Sequence, residues 1–351
     1  MTKEQLDLGK QWVYVEERDI AEDRVLWREI EDLGLPEQLL DVHVHSGLSR
    51  HIGTIPLERL KKIKTLNNRT SYSLPMIRHL HQSVFQGRHV DFVAFPFPYL
   101  ETQIEPANKY LIRNKKGGER VLILADPANP GRTISSLNQN SSLVHGVKAY
   151  YDQVLTEDTI DPENVSIFDY FPREILEHLN KLGAVIMLHV PRKGGLSHPQ
   201  TLAEVVGIAN DFSDIKIILA HMGRCYFPSE MRAAISEIAQ YQNIFFESSM
   251  VDIEETFEEA INGVGVKRIM LGTDLPLSMV RFLRSFEDGE PKLLSKQETY
   301  ALRIDNKPDI AIGTNVLYMT RALLIACSRM GLSNRDKDDI FYNNAKRLFQ
   351  N

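Results

Sequence analysis

The chain has 351 residues, of which 43% are hydrophobic and 25% are charged. These proportions are typical of a globular protein with a large apolar core. The formal net charge is −6 and no basic stripe is present, which argues against nucleic acid as a partner. No apolar run is long enough to span a membrane, and the polar N-terminus lacks a signal-peptide core. The only cysteines, Cys225 and Cys327, fit a reducing compartment, so we expect a cytoplasmic protein.

Amphipathic spacing over the first 38 residues predicts a helical lead-in that ends near Gly34 and Pro36. Eight short apolar runs follow that are typical of buried strands, at 39–45, 90–95, 121–125, 147–151, 184–188, 215–220, 244–247 and 268–272. Helical patterns lie between them, at 74–86, 104–114, 137–144, 172–182, 200–210, 229–241 and 253–261. A long polar stretch, 46–70, follows the first strand, and a polar loop over 285–307 precedes two last helices at 315–330 and 336–349.

The regular alternation of strands and helices determines the expected fold. Strands joined by helices of this length pair in parallel. Eight such units predict a closed (β/α)₈ TIM barrel rather than an open doubly wound sheet. We therefore expect a helical N-terminal extension over 1–38 and a barrel domain over 39–351 that includes the extra C-terminal helices.

Histidines and an aspartate stand where several predicted strands end. His43 and His45 end the first strand, His189 the fifth, His221 the sixth and Asp274 the eighth. Strand alternation places His43 and His45 on one face and Val42 and Val44 on the other. Barrel enzymes carry their catalytic groups at the carboxyl ends of the strands, so we expect these five polar side chains to form one site. His79 and His81, two residues apart on a predicted helix, are interpreted as surface residues.

At these positions the sequence resembles the amidohydrolase superfamily, in the amidohydrolase-related (amidohydrolase 2) branch. That branch includes decarboxylases similar to aminocarboxymuconate semialdehyde decarboxylase, together with lactonases and other hydrolases. The matching segments are 41–45, 188–189, 219–224, 271–276 and 340–349, so the resemblance extends from about Leu39 to the end of the chain. Neither 1–38 nor 46–70 is explained by it.

The resemblance implies a metal centre and a set of roles. His43, His45, His189 and Asp274 would bind one divalent ion, with zinc as the first choice and manganese or another divalent ion as alternatives. Three nitrogens and one carboxylate suit zinc. Asp274 would orient a water and take its proton, and His221 would act beside the metal as a general acid or base.

Some superfamily members hold two metals, bridged by a carboxylated lysine on the fourth strand. Lys148 lies on that strand, although early in it, and we interpret it as a structural or substrate-facing residue.

Arginines near the strand ends point to the substrate class. Arg192 follows His189 by three residues, and Arg224 follows His221 by three. A guanidinium in such a loop suits a carboxylate, so we expect Arg192 and Arg224 to bind the substrate. For Arg50, a loop brace is the preferred interpretation.

The resulting prediction is a metal-dependent hydrolase that acts on a small ester, lactone or amide bearing a carboxylate. Non-oxidative decarboxylation of a small organic acid is the alternative, because it uses the same ligands. A binding protein on a barrel that has lost its activity is a third hypothesis. The expected partners are a small organic acid and a second copy of the chain in a homodimer.

Overall fold

The computed structural model describes residues 17–56, 71–155, 161–287, 290–295 and 310–350. The core is a single parallel sheet in the order β1 to β8, each strand pairing with the next. The strands are β1 (Gln38–His45), β2 (His89–Phe95), β3 (Arg120–Leu124), β4 (Gly146–Ala149), β5 (Val185–Leu188), β6 (Lys216–Leu219), β7 (Ile244–Glu247) and β8 (Ile269–Met270).

The sheet closes where its last strand meets its first. The Val42 amide donates to the Leu271 carbonyl at 2.9 Å, and the Asp274 amide donates to the His43 carbonyl at 2.8 Å. A further parallel bridge joins Val44 to Leu275. The predicted (β/α)₈ barrel is therefore confirmed.

Helices surround the barrel between consecutive strands. They are α2 (Leu74–Val84), α3 (Ile104–Asn114), α4 (Pro130–Gln139), α5 (Ile167–Tyr170), α6 (Arg173–Leu182), α7 (Pro199–Asp211), α8 (Pro228–Ile238) and α9 (Glu254–Val264), preceded by α1 (Glu17–Asp32). The helix expected at 137–144 is wrong in position, since α4 begins at Pro130, and proline suits the first turn of a helix.

The chain beyond β8 departs from the predicted polar loop. An antiparallel hairpin of β9 (Phe282–Glu287) and β10 (Glu290–Ser295) occupies the start of that region. Residues 296–307 of the predicted loop lie outside the described residues, as do 57–70 of the polar stretch. Helices α10 (Asn315–Arg329), α11 (Asn334–Asp338) and α12 (Asn344–Leu348) follow, with a π-helical segment at Asp339–Asn343.

The barrel interior is packed with the apolar side chains that point inward from the strands. These include Leu40, Val42, Val93, Phe95, Met187, Ile218 and Met270, all almost fully buried. Leu348 and Phe349, at the C-terminal end, pack against the same cluster, and Phe349 contacts His145 just before β4. The C-terminal segment therefore closes the amino end of the barrel, and the carboxyl end is left for a site.

The described part of the N-terminal extension is bound to the C-terminal half of the chain. Asp23 of α1 accepts hydrogen bonds from the Thr314 amide at 2.7 Å and from Arg281 Nη2 at 2.6 Å. A side chain at Gly313 would lie 2.4 Å from Leu26, so the glycine lets the two segments approach closely. Residues 1–16 lie outside the described residues, and the division at residue 38 stays a prediction. Within the described residues, no helix is long and apolar enough to cross a membrane.

Candidate active site

A bulge near the end of β1 orients the two histidines of the first strand. The β1–β2 register shifts between Asp41 and Val44. Val42 therefore packs inside the barrel, whereas Val44 packs outside it against the helices. The strict alternation expected for 42–45 is wrong at this point, because a bulge adds a residue and re-aims the next side chain. His43 and His45 still meet, with ring centroids 5.3 Å apart.

Three atoms of the types that bind metal ions converge at the carboxyl end of the barrel. His43 Nε2 lies 3.4 Å from His45 Nε2 and 3.3 Å from Asp274 Oδ1, and His45 Nε2 lies 3.2 Å from the same oxygen. A tetrahedral zinc with bonds of about 2.0–2.1 Å would hold its ligand atoms about 3.3 Å apart. Asp274 Oδ1 is buried and has no hydrogen-bond partner among the described residues. The triangle therefore has the size, the donor types and the unsatisfied oxygen of a site for one small divalent cation.

The electrostatics of Asp274 suit a ligand that is always ionised. Burial alone would raise the pKa of its carboxyl, but a proton on either neighbouring imidazole, His43 or His45, outweighs burial and lowers that pKa well below its usual range. The neighbouring Thr273 amide donates to Asp41 Oδ1 at 2.9 Å, which fixes the end of the eighth strand. For His43, burial lowers the pKa of the imidazole. The ring is therefore neutral near pH 7, and its Nε2 lone pair is available.

Glu247, the last residue of β7, organises the histidines from inside the barrel. Its Oε1 lies 2.9 Å from His43 Nδ1 and accepts from the His221 amide at 2.6 Å and from Ser249 Oγ at 2.8 Å. Its Oε2 accepts from the Ser249 amide at 2.7 Å. Because a carboxylate can only accept, His43 carries its proton on Nδ1 and turns the Nε2 lone pair to the triangle. Gly272 leaves room for this carboxylate, since a side chain there would lie 1.9 Å from Oε2.

The tautomer of His221 follows from the same network. Its Nδ1 lies 2.7 Å from Ser249 Oγ, which already donates its own proton to Glu247. Ser249 can therefore only accept from His221, so the ring carries its proton on Nδ1 and has a free lone pair on Nε2. Burial lowers the pKa of His221 to about 3. The ring is neutral near pH 7 and is held as a base at Nε2.

His221 opens a strained turn. His221, Met222, Gly223 and Arg224 all have positive φ angles, between 52° and 68°. Left-handed conformations in non-glycine residues cost roughly 1–3 kcal/mol each and gather at functional sites. The turn stacks the His221 ring on His43, with centroids 4.9 Å apart.

Behind the triangle, Asp41 binds two strand ends together. Its Oδ1 accepts from the His43 and Thr273 amides at 3.0 and 2.9 Å, and its Oδ2 accepts from Thr273 Oγ1 at 2.5 Å. His81 Nε2 lies 2.8 Å from the same Oδ2. The expectation of a surface role for His81 is wrong, because its ring is buried and completes the hydrogen bonding of this carboxylate. His79 is exposed, as expected.

A family model described as Amidohydrolase matches residues 144–350, which is more than half of the chain. The chain belongs to the amidohydrolase family. The matched range begins just before β4, so it includes His189, His221 and Asp274 but not the histidine pair of β1. The resemblance noted from the sequence is thereby confirmed, and so is the expectation of an enzyme. No curated protein gives a significant match to this amidohydrolase.

Several solved structures share the fold. An amidohydrolase from Burkholderia multivorans with bound HEPES is 12% identical, with a TM-score of 0.59, and the alignment covers 89% of this chain and 99% of that one. A zinc-bound form of the same protein gives a TM-score of 0.57 at 12% identity, covering 89% and 99%. A 2,6-dihydroxybenzoate decarboxylase from Rhizobium is 16% identical, with a TM-score of 0.55 and coverage of 90% and 99%. A dihydroxybenzoic acid decarboxylase from Polaromonas sp. JS666, with manganese and 2-nitroresorcinol, is 16% identical, with a TM-score of 0.52 and coverage of 90% and 97%.

His189 lies beside the triangle of this amidohydrolase without joining it. Its ring is 4.9 Å from the His221 ring and 4.5 Å from Tyr150, centroid to centroid. Its nitrogens belong to neither of the two sets of converging ligand atoms found among the described residues. The second set, His43, His221 and Glu247, is the hydrogen-bond network already described.

The expected substrate role of Arg192 disagrees with its contacts. Its Nη1 and Nη2 each donate to Glu204 of α7 at 3.0 Å, and the side chain is 1% exposed. Both terminal nitrogens of the guanidinium are therefore held by a carboxylate of the protein itself. These contacts favour a structural role, in which Arg192 braces the loop after β5 against α7, and its substrate role stays a prediction.

Arg224 has contacts of a different kind. Its Nη1 donates to the Val190 and Arg192 carbonyls at 3.1 and 2.9 Å. Among the described residues, no carboxylate lies within ion-pair distance of its guanidinium, and the phenols of Tyr150, Tyr151 and Tyr226 are its neighbours. Its positive charge is therefore not neutralised by the described part of the protein.

Sequence reasoning missed the groups that hold the ligands, namely Glu247, Ser249, Asp41 and His81. Glu247 had a usable signal, because it ends the seventh apolar run just as the site histidines end theirs. For His81 no local signal exists, since its partner Asp41 lies 40 residues earlier in the chain.

Proposed function

We propose that this amidohydrolase is a metal-dependent hydrolase acting on a small ester, lactone or amide that bears a carboxylate. The observation that carries the proposal is the triangle of His43 Nε2, His45 Nε2 and Asp274 Oδ1, with edges of 3.2–3.4 Å beside the neutral ring of His221. A metal site next to a base held for proton transfer suits the attack of water on a carbonyl carbon.

Zinc is the metal we propose, and His43, His45 and Asp274 would hold it, with His189 as the fourth ligand. Two imidazoles and a carboxylate at this spacing suit zinc, and manganese is the alternative. When bound, the ion supplies Lewis acidity, which polarises the substrate carbonyl and makes water a stronger nucleophile.

His221 and Asp274 are the residues to which we assign water positioning and proton transfer. Asp274 orients the attacking water, and His221 Nε2 accepts its proton as the new carbon–oxygen bond forms. His221 returns that proton to the leaving oxygen or nitrogen as the scissile bond breaks. The Glu247–Ser249 pair holds the ring in the tautomer that this transfer requires.

Arg224 is the group that we assign to the substrate carboxylate. Its guanidinium has no carboxylate of the described protein to neutralise it, whereas Arg192 is occupied by Glu204. An unpaired anion in a closed pocket is costly, and a guanidinium offers it paired hydrogen bonds.

Non-oxidative decarboxylation is the second candidate. It would use the same metal ligands, with the carbon–carbon bond to the carboxylate breaking in place of hydrolysis. Structural neighbours that act on 2,6-dihydroxybenzoate support keeping it. Analysis of the products separates the two reactions, since one releases carbon dioxide and the other a cleaved or ring-opened acid.

The metal is tested first. Protein purified without chelator should contain about one equivalent of divalent metal by elemental analysis. His43→Ala should lose it, while the matched variant His79→Ala, at an exposed histidine, should keep it. Active wild-type enzyme that contains no metal and is indifferent to chelators would refute the proposal.

A cytoplasmic location and a homodimer stay predictions.

A further inference from the structure

Lys148 is a buried cation that the proposed reaction does not use. It lies on β4 between Val147 and Ala149, which pack outward in the main core, so its own side chain points into the barrel. The residue is 1% exposed. Its Nζ lies 5.1 Å from the centroid of the Phe95 ring, and Phe95 in turn packs against both His43 and His45. The ammonium therefore shares the interior of the site with the metal triangle.

Other buried cations of this chain have hydrogen-bond or ion-pair partners, whereas the Lys148 ammonium has none among the described residues and lies only over the Phe95 ring. Arg192 pairs with Glu204, Arg281 pairs with Asp23, and Arg268 donates to three backbone carbonyls. A structural lysine in a barrel core is expected to show such a contact, because an unpaired buried ammonium costs several kcal/mol.

The two acidic groups of the pocket attract Lys148 but do not pair with it. Glu247 is occupied by His43, His221 and Ser249, and Asp274 faces the two histidines of β1. Neither carboxylate lies within ion-pair distance of the Lys148 ammonium. The site thus contains an ammonium whose hydrogen-bond donors are left for a group that enters the pocket.

We propose that Lys148 is an anion-binding residue of the active site, and that its ammonium donates to a negatively charged oxygen of the ligand held at the metal. This inference rests on the proposed metal site, because the metal brings the ligand to the triangle. The oxygen is a carboxylate oxygen of a bound acid or the oxyanion that forms from a carbonyl during reaction. A fixed cation there stabilises negative charge where water is excluded.

The proposal is tested by anion binding to zinc-loaded protein. Acetate, oxalate, benzoate and 2,6-dihydroxybenzoate are titrated into wild-type, Lys148→Met and Lys148→Arg by calorimetry. We expect at least one carboxylate to bind wild-type protein, and to bind Lys148→Met about tenfold to a hundredfold more weakly, the worth of a charged hydrogen bond. Lys148→Arg should recover part of the loss, because it restores the charge.

A matched control is Lys216→Met, a lysine of β6 whose ammonium donates to the Gly183 carbonyl. It should leave carboxylate affinity unchanged. Zinc affinity, measured separately with a competing chelator, should not fall in Lys148→Met. Failure of zinc to bind wild-type protein would refute the proposed function itself.

Three outcomes with zinc bound would overturn the Lys148 inference alone. In the first, no carboxylate binds wild-type protein. In the second, Lys148→Met binds carboxylates as tightly as wild type. In the third, native mass spectrometry finds a carbon dioxide adduct on Lys148, since a carboxylated lysine has lost its ammonium.

Discussion

Replacing Glu247 by glutamine should weaken the metal site without removing any of its ligands. The carboxylate accepts four hydrogen bonds, three on Oε1 from His43, His221 and Ser249 and one on Oε2 from the Ser249 amide. If the glutamine oxygen takes the place of Oε1, its nitrogen takes the place of Oε2. That nitrogen would face the Ser249 amide, so one accepted hydrogen bond is lost and two N–H donors point at each other. With the amide reversed, three acceptor bonds are lost.

The magnitude follows from this count. One buried, charge-assisted hydrogen bond is worth about 1.5–3 kcal/mol, and losing the outer partner of a ligating histidine costs roughly 10–100-fold in metal affinity. We therefore expect Glu247→Gln to bind zinc about 10–100-fold more weakly than wild type and to unfold at lower urea concentration. The assay is competition with a zinc chelator, followed by urea unfolding of the metal-free protein.

Glu230→Gln is the matched control. Glu230 Oε2 accepts from the Tyr226 and Phe227 amides at 2.8 and 3.1 Å at the start of α8, but it touches no histidine of the site. This variant should lose some stability and keep its zinc affinity. If folded Glu247→Gln binds zinc as tightly as wild type, the carboxylate does not orient His43 and the reasoning is wrong.

Further predictions concern His221, the two arginines, the hydrogen bond between His81 and Asp41, and the dependence of stability on pH. His221→Ala should keep its zinc while turnover falls roughly 10²–10⁴-fold, and loss of the metal would make His221 a ligand. Arg224→Met should strongly raise KM for a carboxylate substrate. Arg192→Met should lower the free energy of unfolding by about 3 kcal/mol and leave KM almost unchanged. Equal KM values for the two variants would contradict this assignment. His81→Phe removes one hydrogen-bond donor to Asp41 and should lower the free energy of unfolding, measured by urea titration, by about 1–3 kcal/mol. An unchanged urea midpoint would show that this hydrogen bond does not stabilise the fold. Metal-free protein should lose at least about 2 kcal/mol between pH 6.5 and 5. With the folded-state pKa of His221 near 3, only the unfolded chain takes up that proton, and the lowered pKa values of His43 and His189 add losses of the same sign; a flat urea midpoint would refute this.

The sequence determined the architecture and the grouping of the three residues whose atoms form the triangle. Eight apolar runs separated by helical patterns suffice for a parallel barrel, because hydrophobic periodicity and connection length are local properties of the chain. The barrel then determines which chain positions meet, since the carboxyl ends of all its strands share one rim. For this reason the sequence alone groups His43, His45 and Asp274 across 232 residues of the chain.

Local sequence patterns predict short elements and their boundaries less well than they predict long ones. The polar sequence of the β9–β10 hairpin predicts a loop, and α4 begins seven residues earlier than its predicted start. The bulge in β1 was also missed, because register depends on both neighbouring strands rather than on the strand's own sequence.

Only the tertiary structure decided what each charged side chain does. Arg192 and Arg224 occupy equivalent sequence positions, three residues after a site histidine, yet Arg192 meets Glu204 and Arg224 meets carbonyls and phenols. His81 is buried against Asp41. Glu247 determines the tautomer of His43 directly and that of His221 through Ser249. Lys148 has no hydrogen-bond or ion-pair partner among the described residues. Such roles depend on which partner lies within about 3 Å across the fold, and hydrogen bonds of that range leave no period or spacing in the sequence.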